Sequence, residues 1–103
     1  MRKSKLNAYT MKLIRKIQKE VGKEKAVSII GKTRGTIHKY KTSELLITNS
    51  LFGHICREYH GIFPKESLQE VFMRGLTCIM EDHMLDRKEK KEEKITEDLN
   101  IIL

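Results

Sequence analysis

The chain has 103 residues, 39% of them hydrophobic and 6% aromatic, with no Trp, one Pro, six Gly, two Cys and a net charge of +7. That is one domain's length, too apolar for disorder and too poor in Pro and Gly for a loop-rich or all-β chain, so a small all-α fold with an aliphatic core is expected. No run approaches the roughly 20 apolar residues of a membrane span, and no apolar stretch follows Arg2, Lys3 and Lys5 to make a secretory signal.

The first periodic segment runs from Ala8 to Val21. Leu13, Ile14, Ile17 and Val21 form one apolar stripe, Lys12, Arg15, Lys16 and Lys19 cover the other side, Thr10 is the expected cap, and Gly22 ends the helix. A short helix is expected over Lys23 to Ile30 and stops at Gly31. Thr33 is placed to cap the next, Arg34 to Lys41, with Ile37 and Tyr40 facing inward. Thr42 and Ser43 mark another start, with Asn49 as an alternative cap, and apolar residues continue to His60.

Gly61-Ile62-Phe63-Pro64 reads as a loop, with Pro64 in the first turn of a long helix whose apolar residues are Leu68, Val71, Phe72, Leu76, Ile79, Met80 and Met84, and with Gly75 in the stripe. The segment 86–103 starts with a solvated run of mixed charge and is expected to be a mobile tail, with Ile95, Leu99 and Ile102 at helical spacing. About four to five helices therefore divide into a basic segment 1–42, a helical core and oligomerisation segment 43–85, and the charged tail 86–103.

The charge is unevenly placed. Residues 1–41 hold 13 Lys and Arg against Glu20 and Glu24, a net +11, whereas 42–85 are net −3 and 86–103 net −1. A phosphate backbone is the polyanion that such a segment attracts, because neutralising phosphates releases counterions. Residues 23–41 add a pattern to the charge. Val27 stands four before Gly31, Ile30 one before, Ile37 six after and Tyr40 nine after. This is the spacing of a helix-turn-helix, in which the glycine turns the chain and four apolar residues hold the second helix at a steep angle, free to enter a major groove.

On that second helix Thr33, Arg34, Gly35, Thr36, His38 and Lys39 are expected to be exposed. Arg34 can donate two hydrogen bonds to guanine O6 and N7, and Thr33, Thr36 and His38 can reach base edges or phosphates. Gly35 weakens its helix by about 1 kcal/mol relative to Ala but lets the backbone approach the groove. Lys39, Lys41, Lys12, Arg15, Lys16 and Lys19 are expected at phosphates, with Lys23 and Lys25 beside them.

From Leu6 to Lys41 the chain resembles the phage lysogeny activators of the lambda CII type. The shared features are a basic amphipathic helix ending in Val21-Gly22, then Glu24-Lys25, Ile30-Gly31, and Ile37 with Tyr40-Lys41. The resemblance implies a helical homotetramer assembled through its C-terminal helices, bound to direct repeats near a promoter and recruiting RNA polymerase.

Other constellations are weaker. His54, Cys56, His60, Cys78 and His83 lack any CxxC pair, and their spacing does not converge on zinc. No glycine-rich oxyanion turn accompanies a Cys–His pair, so neither enzyme activity nor a cofactor is expected. The first helix lacks the Trp or Phe of a lipid-binding stripe, so no membrane partner is expected. Two cysteines make no disulfide framework and fit a reducing cytoplasm. The expectation is thus a cytoplasmic, double-stranded-DNA-binding transcriptional regulator, activator or repressor, acting as a homodimer or homotetramer. The alternative is a protein-interaction adaptor or anti-regulator that uses its Met-rich C-terminal helices.

Overall fold

A computed structural model describes residues 4–84, and these are all-helical: α1 (Lys5–Val21), α2 (Lys23–Ile30), α3 (Arg34–Lys41), α4 (Asn49–Ile62) and α5, which runs from residue 68 to the last described residue, 84. The expected tail, 86–103, lies outside the described residues, as do the first three residues.

α1 is the central element and touches α2, α3 and α4. It starts earlier than its periodicity suggested. Ser4 is the cap, its hydroxyl accepting from the Asn7 N–H at 3.1 Å. Thr10 lies inside the helix, fully buried, and donates its hydroxyl to the Leu6 carbonyl at 2.7 Å. A threonine can satisfy its hydroxyl in this way within a helix, so it need not mark an end.

The α1 N-terminus has a second partner. The Asp82 carboxylate on α5 accepts from the Lys5 N–H at 2.9 Å, the Leu6 N–H at 3.2 Å and the Ser4 hydroxyl at 2.9 Å. An anion at the first-turn amides of a helix satisfies orphan donors and complements the helix dipole. Beside it Lys5 pairs with Glu81 at 2.7 Å, which raises the lysine pKa. The two ends of the described chain are thereby fastened together.

Gly22 is the whole connection between α1 and α2. Its φ of 91° and ψ of 157° suit glycine, and its N–H closes on the Gln18 carbonyl. Gly31 caps α2 in the left-handed region, at φ 77° and ψ 23°. Thr33 caps α3 as expected, accepting from the Thr36 N–H at 3.2 Å. The next start differs from expectation: residues 42–48 form a loop, and Thr48 rather than Thr42, Ser43 or Asn49 caps α4. Pro64 also falls before its helix, in a turn at 64–66, while Ser67 provides the first α5 contacts through the Glu70 and Val71 amides.

The core is one cluster that draws on every helix: Leu6, Leu13, Ile14 and Ile17 from α1, Ala26 and Ile30 from α2, Ile37 and Tyr40 from α3, Phe52, Ile55, Cys56 and Tyr59 from α4, and Val71 from α5. Burying each large aliphatic chain contributes on the order of 2 kcal/mol. In α2 Ala26 and Ile30 are buried, whereas Val27 is half-buried. Cys56 is buried among these residues, which pushes its thiol up to about 11.

α5 docks where it has least bulk. Gly75 lies against the Phe52 ring, which also stacks on Phe72 with centroids 5.8 Å apart, and a β-carbon at Gly75 would overlap Phe52. Gly75→Ala should therefore destabilise the protein by about 1–3 kcal/mol through overpacking, although alanine favours helices. Thermal unfolding of the variant checks this, and a melting temperature at or above that of the parent would show that α5 does not dock so closely.

Candidate nucleic-acid interface

α3 buries only Ile37 and Tyr40, and both point at the core. Its other side faces solvent: Thr33, Arg34, Gly35, His38, Lys39 and Lys41 are exposed and Thr36 is half-buried. Gly31 breaks the rod before it, so α3 stands as a separate short helix. Lys32, just after the turn glycine, is exposed as well.

Between α1 and α3 lies a shallow recess of about 270 Å³. It gathers Arg34, His38 and Lys41 from α3, Arg15 and Gln18 from α1, and Lys23 from the start of α2, over an apolar floor of Met11 and Ile37. Four of the expected site residues, Arg15, Arg34, His38 and Lys41, thus line one surface. Gln18 was not anticipated, although it follows Arg15 by three residues, a spacing that shares a helix face. No acid lines the recess, and Arg15, Lys23, Arg34 and Lys41 make its lining cationic.

The other expected residues are placed differently. Lys19 is exposed on α1. Lys39 is exposed on α3, and Thr33 and Thr36 are engaged with each other at its start, hydroxyl to hydroxyl at 3.0 Å. Lys12 and Lys16 line a separate groove between α1 and α5. There Lys16 lies 3.4 Å from the Tyr59 hydroxyl, 3.9 Å from the Glu66 carboxylate and over the Tyr59 ring. Burial, and then the hydrogen bond to Glu66, push the Tyr59 phenol well above its ordinary value. Lys5 is held by Glu81 instead of facing a ligand.

One residue that positions the site carries no charge. Asn7 is 1% exposed, in the contact between α1 and the chain leaving α3. Its amide nitrogen donates to the Tyr40 carbonyl at 3.0 Å and the Leu45 carbonyl at 2.7 Å, and its oxygen accepts from the Ile47 N–H at 2.9 Å. Ser43 beside it adopts a left-handed φ of 60°, and its hydroxyl accepts from the Ser4 N–H. The end of α3 is therefore tied to the start of α1. The signal for Asn7 is in the sequence: it lies three before Thr10 and seven before Ile14, a polar residue on the buried stripe.

The histidines and cysteines are dispersed. The His54 ring nitrogen donates to the Ile29 carbonyl at 2.8 Å, His60 contacts the Glu66 carbonyl, Cys56 is core and Cys78 is half-buried, its thiol pushed up by burial. Among the described residues no group of three His, Cys, Asp or Glu is arranged to hold a metal, and no helix is long and apolar enough to cross a membrane. Comparisons with protein-family models, curated proteins and solved structures found no match.

Asn7→Leu keeps the volume but leaves buried backbone groups unpaired, each costing about 1–3 kcal/mol. The variant should unfold at lower denaturant and exchange its amide protons faster over residues 36–47 than over α2. Uniformly faster exchange would mean that Asn7 supports the whole fold and has no special hold on α3.

Proposed function

We propose that the chain is a non-enzymatic, sequence-specific, double-stranded-DNA-binding transcriptional regulator. In this reading α3 enters the major groove, and the protein binds as an oligomer to repeated half-sites near a promoter. The observation that carries it is the recess: cations from α1, α2 and α3 converge on one acid-free surface beside an exposed α3. Arg34 reads guanine, Thr36 and His38 meet base edges or nearby phosphates, and Arg15, Lys19, Lys23, Lys39 and Lys41 bind the backbone. The CII-type resemblance implies activation, by contact with RNA polymerase, and an operator that overlaps the promoter would give repression instead.

The oligomer is supported by α5. Leu68, Phe72, Leu76, Met80 and Met84 recur every fourth residue, and Met80 and Met84 are 64% and 67% exposed. Such a row is a ridge that fits the groove of another helix, and a copy of itself is a self-complementary partner. The same ridge favours the second reading, an adaptor that binds a different protein. Selection from random duplex DNA, combined with sedimentation, separates the two. An enriched motif bound by a dimer or tetramer supports the regulator, whereas a monomer that enriches nothing at any salt supports the adaptor.

Within the regulator reading, Arg34→Ala should weaken the selected site by about 1–3 kcal/mol and relax preference at one base pair. Arg15→Ala should weaken all duplexes alike and lower the salt slope by about 1. Competition binding against selected and scrambled duplexes measures both, and an Arg34→Ala protein with unchanged preference would refute the role given to α3.

A further inference from the structure

The wider groove on the opposite flank of α1, about 790 Å³ and lying against α5, is also basic. Lys12 and Lys16 come from α1, Arg74 from α5 and Lys65 from the turn before it. Two acids share it. Glu66 is engaged by Tyr59 and Lys16, and Glu70 is the second acid, against Lys12, Lys16, Lys65 and Arg74 in the same lining. Lys12, Lys65 and Arg74 are exposed. The ridge of α1 between groove and recess carries Arg15, Lys19 and Lys12, all exposed, and the only acid in the helix is Glu20. Positive charge thus continues from the recess, over α1, into the groove. Lys65 and Arg74 belong to the less basic part of the chain, where charge counting gave no reason to expect a polyanion contact.

We infer that the groove between α1 and α5 holds the phosphate backbone of duplex flanking the base pairs read by α3, with Lys65 and Arg74 as contacts. This rests on the DNA-binding reading of the recess. A duplex seated on α3 lies across the cationic ridge of α1, and a polyanion meets favourable potential all the way to Arg74. The groove walls carry lysine and arginine but no aromatic face free to stack on a base, since Tyr59 is committed to Lys16 and Glu66 and Tyr9 donates to the Val71 carbonyl. The contact is therefore to backbone, independent of sequence, and lengthens the footprint without changing the motif.

The test uses the full chain and a selected site in two duplexes, one carrying the motif alone and one extended by about one helical turn, roughly 10 base pairs, on each side. The parent should bind the longer duplex about tenfold more tightly at low salt, with a salt slope steeper by about 2, since each phosphate contact contributes about 0.9. In the Lys65→Ala, Arg74→Ala double variant the advantage and the extra slope should vanish, while the selected motif stays the same. Equal affinity of the parent for the two duplexes overturns the inference while leaving the recess reading intact, and so does a folded double variant that keeps the advantage. Should the double variant fail to fold, the length dependence of the parent decides. A parent that enriches no motif overturns both.

Discussion

Asn7 holds the end of α3 and the chain that leaves it against α1 through three hydrogen bonds, two of them buried and the one to Leu45 partly so. α3 buries only two side chains, too few to fix the direction of an eight-residue helix by apolar contact. Directional bonds supply what the contact area does not, and a buried amide with unmatched partners is costly enough to exclude other placements. Ser43, whose hydroxyl accepts from the Ser4 N–H, closes the same loop from the other side. The recess beside α3 has its shape because α1 and α3 share this anchor.

α1 therefore serves three purposes along one cylinder. Its inner stripe supplies Leu6, Leu13, Ile14 and Ile17 to the core, Asn7 anchors α3, and its outer side carries Lys12, Arg15, Lys16 and Lys19. The Asp82 carboxylate at its first turn joins this helix to α5. Like charges crowded on the outer side oppose folding slightly, and the apolar stripe and the acidic cap both offset that repulsion. A surface suited to a polyanion and a stable core are thus compatible in one helix.

Much of this was legible in the residues. The bounds of α2 and α3, the Thr33 cap and the inward Ile37 and Tyr40 follow from local rules of capping and glycine geometry, which act over a few residues. The misread points share a different cause. Thr10 resembles a cap but bonds back to Leu6, Thr48 is the cap that Thr42, Ser43 and Asn49 resemble, and Pro64 lies in the turn before α5. In each case several residues offered the same local chemistry, and tertiary contacts chose among them. Spacing also placed Arg15 and Lys16 together as cations of one helix. Helix geometry turns the two about 100° apart, and the packing of the other helices sets one beside α3 and the other beside Tyr59. Asn7 and Asp82 could not be assigned roles from sequence, because their partners lie 33 or more residues away along the chain.

The single glycine between α1 and α2 leaves no slack at that corner. A deletion there would have to be made good by unwinding the start of α2, which draws Ala26 and Ile30 off the surface they cover. The loop after α3 has no more freedom, because Asn7 bonds the Leu45 carbonyl and the Ile47 N–H, even though the Leu45 and Leu46 side chains are exposed. A change of chain length at either corner is therefore expected to displace α2 or to release α3 from its anchor on α1.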